Sequence, residues 1–262
     1  MPLYESIAAR LIGTPLQRPA EWLRDVKSAH YRRTHPELAE LFASEGERTE
    51  ETLRAVMTPS TNCIDIGCHI GSFLQRIVTL SPQGRHYAVE PVPHKAAWLR
   101  RKFPAVSVLE VALDDKNGKA EYFVNAAQTS YSGLKVRAVP GRLDCLQVER
   151  RRLDELIPPD ARIGFIKIDV NGAELMVLRG ALRLLERDRP FVLLECTLGG
   201  LNDYGIDSDQ VHDLLVRQAG FGIYLLKDYL GGGAPLSAEA FRQSMTYPFQ
   251  AFNYAVTASA RA

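Results

Sequence analysis

Short apolar segments that alternate with helical segments constrain this chain more than any other feature of its sequence. The segments at 63–66, 86–89, 165–168 and 191–194 are mostly apolar, and each is followed by residues with helical spacing of their apolar side chains. Strands that are apolar on both faces are typical of a parallel sheet covered by helices. We therefore expect an α/β fold that binds its ligands at the carboxyl ends of the strands.

The charge balance and the cysteine content limit the classes of protein that fit. The 262 residues carry 32 Lys and Arg against 31 Asp and Glu, so no basic footprint for a nucleic-acid partner is present. No segment reaches the ~20 apolar residues of a transmembrane helix, and the first residues do not resemble a signal peptide. Four cysteines without CxxC spacing favour a reducing compartment. These features predict a cytoplasmic protein.

Two parts of the chain are distinguished by their patterns. Residues 1–58 are predicted to form a helical cap of short helices, because Pro15, Pro19 and Pro36 interrupt the helical spacing. Residues 59–262 form the main domain, in which 125–145 is expected to be irregular. The glycine- and proline-containing segment 228–250 is expected to be a mobile loop that closes over the substrate together with the cap.

The most informative segment is residues 65–73, with the sequence DIGCHIGSF. Gly67 and Gly71 flank a strand-to-helix turn, but their spacing lacks the GxGxxG pattern of dinucleotide-binding proteins. Asp65 would repel a pyrophosphate and suits a ligand with an ammonium and a sulfonium group. Glu90 ends the next strand, where an acid accepts hydrogen bonds from ribose. S-adenosylmethionine combines these properties; a structural cap at Asp65 and a surface position for Glu90 are the alternatives.

Five motifs follow one another along the chain: CIDIGCHIG (63–71), YAVEP (87–91), VALDD (111–115), FIKIDVNGAE (165–174) and LLE (193–195). They occur in the order found in FkbM-type methyltransferases, and the chain resembles this family over residues 60–200. The resemblance implies a class I, Rossmann-like methyltransferase domain with a seven-stranded, mostly parallel sheet, helices on both faces and an antiparallel final strand. It also implies S-adenosylmethionine-dependent O-methylation of a sugar, a glycolipid or a natural product.

The resemblance also implies which residues bind the cofactor. Asp65, Gly67 and Gly71 would line its methionine end, Glu90 would bind the ribose, and Ala112 and Leu113 would flank the adenine. Asn171 stands where the family usually has a glutamate, which suggests a different substrate. The remaining predicted cofactor-binding residues are His69, Ser72, Phe73, Pro91 and Asp169.

A charged pair in an apolar strand marks the predicted catalytic position. Lys167 and Asp169 are two residues apart, so both side chains point to one face of the strand. A buried salt bridge is the structural alternative, and a carboxylate that faces the substrate is the functional one. Glu195 ends the next strand, ~4.8 Å away if the strands are neighbours. Asp169 and Glu195 are therefore predicted as catalytic residues that could hold Mg²⁺ and activate a hydroxyl; Glu195 in a turn or a salt bridge is the alternative.

Other functions remain open at this stage. A nicotinamide-dependent oxidoreductase and a nucleic-acid methyltransferase both lack their expected motifs, whereas a binding or scaffold protein without turnover stays an alternative. The arginine runs at 100–102 and 150–152 are expected on solvated faces, with contact to an anionic substrate as the second interpretation. We expect a small-molecule or carbohydrate acceptor, and a homodimer is left open.

Overall fold

The computed structural model describes residues 35–125, 132–136 and 142–258, together with Ile7, Leu11, Thr14 and Leu16. The strands are β1 (Cys63–Ile66), β2 (His86–Val89), β3 (Ser107–Leu109), β4 (Ala112–Leu113), β5 (Gly118–Asn125), β6 (Leu143–Arg151), β7 (Phe165–Ile168), β8 (Phe191–Glu195), β9 (Phe221–Leu225) and β10 (Asn253–Ala258). The α-helices are α1 (Pro36–Val56), α2 (Ser72–Leu80), α3 (Pro93–Lys102), α4 (Glu174–Gly180), α5 (Leu182–Asp188), α6 (Leu198–Asp203), α7 (Ser208–Asp213), α8 (Leu226–Leu230) and α9 (Ala238–Ser244).

Seven strands form one sheet in the order β3-β2-β1-β7-β8-β10-β9. β1, β2, β3, β7 and β8 pair in parallel, whereas β10 runs antiparallel to both β8 and β9. Strands β1, β2 and β7 are buried along their whole length, which explains their continuous apolar sequences. The expected α/β fold, with its mostly parallel sheet and antiparallel final strand, is confirmed.

Alternate residues of the central strands pack into different layers of the core. Ile64, Ile66 and Ile168 belong to the larger apolar cluster, whereas Cys63 and Phe165 face a second cluster on the opposite side. Full burial of one such side chain contributes roughly 1.5–3 kcal/mol relative to exposure. The two-sided core holds the ends of β1 and β7 in fixed register, with Ile66 opposite Ile168.

A second sheet of three strands, in the order β4-β6-β5, was not expected. β6 begins at Leu143, so residues 143–145 belong to a strand. The expectation of irregular structure is wrong for these residues. Only Val148 of β6 is buried. Most residues of β6 are polar, so the pattern of apolar residues does not predict a strand here. Arg150 pairs with Asp114 at 3.0 Å and Arg151 with Glu149 at 3.2 Å. These ion pairs account for the two arginines without contact to an anionic substrate.

Two expectations about the segments around the main sheet need correction. Residues 36–56 form one helix of 21 residues, because Pro36 lies in its first turn, where proline is tolerated, instead of interrupting it; Pro15 and Pro19 lie outside the described residues. The segment 228–250 contains helix α9 and not only a loop. Ser237 caps α9 by accepting a hydrogen bond from the Ala240 amide, and Phe241 is fully buried.

Helix α1 packs on the main sheet through Leu53 and also contacts it through a buried carboxylate. Glu45 accepts hydrogen bonds from the backbone amides of Phe252 at 3.1 Å and Asn253 at 3.3 Å, and from the Asn253 side chain at 3.1 Å. Burial raises the pKa of Glu45, and these donors oppose that rise. The contacts place α1 beside the residues that lead into β10.

Candidate functional site

A cavity lies at the carboxyl ends of β1, β2 and β7. It encloses about 680 Å³ of space not filled by atoms, its open mouth included. The wall combines backbone from the loops after these strands with side chains from β5 and the end of α6. It is lined by Ile66, Gly67, His69, Val89, Glu90, Pro91, Lys95, Val111, Ala112, Leu113, Tyr122, Ser132, Gly133, Leu134, Asp169, Val170, Asn171, Ala173 and Tyr204.

The turn after β1 brings the backbone of two strands unusually close together. Gly67 has a φ of 79°, and a Cβ atom at this position would lie 1.9 Å from the carbonyl oxygen of Asp169. Only glycine combines this conformation with this approach. The Gly67 amide donates to the carbonyl of Val89 at 3.1 Å. The first glycine of the motif therefore joins the ends of β1, β2 and β7 at the cavity.

Glu90 is buried at the end of β2 and is held by two backbone amides. Its Oε2 accepts a hydrogen bond from the His69 amide at 3.0 Å, and its Oε1 accepts one from the Val92 amide at 3.0 Å. A carboxylate has two lone pairs on each oxygen, so Glu90 retains capacity to accept hydrogen bonds from a ligand. The structure thus places a fixed acceptor in the cavity wall where a ribose-binding acid was predicted.

A buried chain of charges runs from Asp65 through Lys167 to Asp169. The Lys167 Nζ lies 2.9 Å from the Asp169 Oδ2 and 3.8 Å from the Asp65 Oδ1. Asp65 is 0% exposed, and burial raises its pKa to about 6 although Lys167 opposes the rise. Burial would lower the pKa of Lys167, but Asp169 and Asp65 raise it above its ordinary value. The predicted buried salt bridge is present, and Asp169 lines the cavity at the same time.

Glu195 lies one strand further along the same edge of the sheet and is not a lining residue of the cavity. Burial and the nearby carboxylate of Asp169 raise its pKa to about 8, so the neutral acid predominates near pH 7. The described residues contain no group of three or more His, Cys, Asp or Glu side chains that could hold a metal ion. Because Lys167 already pairs with Asp169, the donors do not fit the predicted Mg²⁺ site.

The carboxyl group of Glu174 has a structural role that matches its place at the start of α4. Its Oε1 accepts a hydrogen bond from the Gly172 amide at 2.9 Å and one from the Val170 amide at 3.4 Å. Burial raises its pKa to about 7, and these donors oppose that rise. Glu174 therefore stabilises the turn that carries Asp169 and Asn171.

The structure brings most of the predicted cofactor-binding residues together and separates the others. Gly71 has a φ of 88° and packs against Phe103 and Leu99, and Ser72 begins helix α2. Phe73 contacts the Lys167 ammonium, 5.5 Å from the ring centroid. Asp65, Gly71, Ser72 and Phe73 therefore support the cavity from outside. The predicted residues that line it are Gly67, His69, Glu90, Pro91, Ala112, Leu113 and Asp169.

A short segment, residues 132–134, forms a wall of the cavity that the sequence did not predict. Gly133 exchanges two backbone hydrogen bonds with Phe123 of β5, at 2.8 and 3.1 Å. The Leu134 amide donates to the hydroxyl of Tyr204 at 3.1 Å, and the Asn171 side chain donates to the Ser132 carbonyl at 3.4 Å. The neighbouring hydroxyls at 129–131 lie outside the described residues.

Lys95, Tyr122 and Tyr204 also line the cavity and were not predicted. Lys95 lies in the first turn of α3 and is buried, which is unusual for lysine. Tyr122 lies on β5, and Tyr204 ends α6. The position of Lys95 five residues after Glu90 is a sequence signal that could have suggested it; the two tyrosines reach the cavity only through the tertiary fold.

Several solved methyltransferase structures are similar to this chain. The Methyltransferase FkbM from Methylobacillus flagellatus has 19% identity, with 56% of this chain and 37% of that chain covered and a TM-score of 0.41. A TehB-like SAM-dependent methyltransferase from Corynebacterium glutamicum has 11% identity, with 88% and 99% covered and a TM-score of 0.42. The plantazolicin methyltransferase BpumL, solved in complex with SAH, has 11% identity, with 98% and 96% covered and a TM-score of 0.39.

Further comparisons define the family. No curated protein matches the chain. Among the described residues, none of the helices is long and apolar enough to cross a membrane. The aligned region spans little more than a third of the Methylobacillus protein, at 37% of its length. The model of the methyltransferase FkbM domain matches residues 65–223, which is more than half of the sequence, and the chain therefore belongs to the FkbM methyltransferase family.

Proposed function

We propose that the protein transfers a methyl group from S-adenosylmethionine to a hydroxyl oxygen of a small-molecule or carbohydrate acceptor. The observation that carries this proposal is a cavity in which Glu90, a fixed acceptor, and Asp169, a second carboxylate, line the same wall as Gly67. A ligand with ribose hydroxyls and a cationic centre matches these two groups. Membership of the methyltransferase family gives the reaction class.

Each part of the cofactor has a counterpart in the wall. Glu90 would accept hydrogen bonds from the ribose, and the apolar surface of Ala112 and Leu113 would cover the adenine. Gly67 lines the cavity and would place backbone near the methionine end. When bound, the cofactor supplies a methyl group on a positively charged sulfur. Two carboxylates in the wall favour that charge.

Asp169 is the proposed general base. Asp169 would accept the proton that the acceptor hydroxyl loses when its oxygen is methylated. Lys167 donates to the Asp169 Oδ2 at 2.9 Å and so fixes the orientation of the carboxylate. Glu195 is the weaker candidate for this role because its raised pKa leaves it mostly protonated near pH 7. Asp169 also lines the cavity, whereas Glu195 does not.

The experiment compares Asp169→Asn with the matched variant Glu195→Gln. Binding of SAH is measured by calorimetry, and turnover is measured with S-adenosylmethionine and a panel of hydroxyl acceptors. We expect Asp169→Asn to lower turnover by about 100-fold or more and to leave the SAH affinity within about threefold, and Glu195→Gln to retain most activity. Near-wild-type turnover in Asp169→Asn would remove the assignment of the base.

The scaffold alternative gives a different pattern in the same assays. A methyltransferase-fold protein without turnover would bind SAH and methylate no member of the panel. A chain that binds NAD tightly and gives no heat with SAH or S-adenosylmethionine would overturn the proposed cofactor altogether.

A further inference from the structure

A second cavity lies at the same edge of the sheet as Asp169. β10 pairs antiparallel to β8 with Asn253 opposite Glu195, so residues 249–252 lie at the carboxyl end of β8. β7 and β8 are parallel neighbours, which puts this end beside the end of β7. The cavity has about 520 Å³ of space not filled by atoms, its open side included. It is lined by residues 197–199 and by Met245, Phe249, Ala251 and Phe252.

Two aromatic residues of this wall, Phe249 and Phe252, belong to a chain of touching rings that continues beyond the cavity. Phe42 of α1 stacks on Phe252 with centroids 4.9 Å apart, and Phe249 lies 5.4 Å from Phe252. Tyr247 meets Phe249 edge to face at 5.8 Å, and its hydroxyl donates to the Glu37 Oε1 at 3.2 Å. Phe42 is 54% exposed and Tyr247 is 61% exposed. Exposed aromatic side chains that cluster in this way mark a binding surface more often than isolated ones do.

The chemistry of the wall favours an apolar ligand. Among the described residues that line the cavity, none carries a charge. The hydroxyl of Thr197, the polar side chain of this wall, caps α6 by accepting a hydrogen bond from the Gly200 amide at 3.1 Å. A bare oligosaccharide would lose hydrogen bonds to water here without replacing them, whereas an aromatic ring would gain ring-to-ring contacts.

One short helix connects the two cavities. The first turn of α6, with Leu198 and Gly199, lines the aromatic cavity, and Tyr204 at its other end lines the cavity that contains Asp169. A helix of six residues is about 9 Å long. A molecule with a ring and a hydroxyl-bearing unit beside it has the length to reach from one cavity to the other.

We propose that the aromatic cavity binds an apolar, ring-bearing part of the acceptor, whose hydroxyl is presented to Asp169. This inference rests on the proposed function and narrows the acceptor to hydroxyl compounds that carry an aromatic or similarly apolar ring. It also gives α1 a role, because Phe42 stacks on Phe252 of the wall and holds that ring in place. The cap and the segment before β10 then act together in acceptor recognition.

The test uses two probes with identical sugar hydroxyls, phenyl β-D-glucoside and methyl β-D-glucoside, together with maltotriose as a sugar without a ring substituent. Their dissociation constants for the full-length protein with SAH present are measured by calorimetry. We expect phenyl glucoside to bind about tenfold more tightly than either other probe, which corresponds to roughly 1.4 kcal/mol. Phe249→Ala and Phe42→Ala should remove this preference, and Leu143→Ala, an exposed leucine of the other sheet, should not.

The outcomes separate this proposal from the proposed function. Equal affinity for phenyl and methyl glucoside, tighter binding of maltotriose, or an unchanged preference in both phenylalanine variants would each overturn the aromatic subsite. Phe42→Ala keeps the test valid if Phe249→Ala fails to fold, because Phe42 is an exposed helical residue and alanine favours helices. SAH affinity, measured in the same samples, reports on the cofactor site independently.

Discussion

Replacement of Lys167 by methionine tests the buried chain of charges most directly. The change keeps much of the side-chain volume and removes the ammonium group that lies 2.9 Å from Asp169 and 3.8 Å from Asp65. Opposite charges about 4 Å apart attract by roughly 4 kcal/mol at an effective dielectric of about 20. Breaking a buried ion pair by removing one partner costs about 3–5 kcal/mol. We expect the free energy of unfolding at pH 8 to fall by this amount.

The pH dependence of that loss has a definite sign. The pKa of Asp65 is raised to about 6 in the folded protein, so this carboxyl group stabilises the fold most at low pH and loses that contribution as pH rises. Without Lys167 the pKa of Asp65 in the folded protein is higher still. The variant therefore continues to lose stability as pH rises through neutrality. The decrease in the free energy of unfolding caused by the substitution should therefore be smaller at pH 5 than at pH 8. Above pH 6 it should grow by about 1.4 kcal/mol for each pH unit until the new pKa is reached.

Urea denaturation at pH 5 and pH 8, followed by intrinsic fluorescence, measures these values. Lys116→Met, at an exposed lysine in the turn before β5, is the control for the loss of a lysine charge. The double variant Asp65→Asn with Lys167→Met removes both charges and should recover at least half of the lost stability. A loss below about 1 kcal/mol at pH 8, or a double variant no more stable than the single one, would refute the reasoning.

Three further substitutions test the cavity wall. Gly67→Ala would place a Cβ 1.9 Å from the Asp169 carbonyl at a φ of 79°, so the urea midpoint should fall with a loss of about 2–4 kcal/mol. Glu90→Gln replaces a carboxylate held by two amides, and calorimetry should show the SAH dissociation constant rise about tenfold or more. Tyr204→Phe removes the acceptor for the Leu134 amide and should cost about 1 kcal/mol of stability in the same urea assay.

The main sheet could be predicted because its strands are buried on both sides. Every residue of β1 and β7 is inaccessible to solvent, and such strands need continuous apolar sequences interrupted only by paired charges. The three-stranded sheet lacks this signal. β6 alternates between exposed and partly buried residues, and its partner strand β4 has only two residues. The pairing of this sheet joins residues 18 to 38 positions apart along the chain, and local patterns do not contain such contacts.

The positions of some residues of the candidate site could be predicted from the sequence, and those of others could not. Glu90 and Asp169 directly follow predicted strands, so the general rule for the carboxyl ends of parallel strands placed them correctly. Tyr122 and Tyr204 arrive from the second sheet and from α6, and only the folded chain brings them to the wall. Asp65 shows the opposite case, because its position in the motif suggested a ligand contact. Its side chain is not among the residues that line the cavity and lies 3.8 Å from the Lys167 ammonium.

The backbone conformation of Asn171 and its hydrogen bond explain why asparagine stands where the family usually has a glutamate. Its φ of 57° lies in the left-handed region, which asparagine adopts more readily than glutamate does. Its amide donates to the Ser132 carbonyl at 3.4 Å, and a carboxylate could not donate this hydrogen bond. A glutamate here would also add a negative charge two residues from Asp169. Because Asp169 keeps its pairing with Lys167, the exchange alters the wall of the cavity at Asn171 and leaves the proposed base in place.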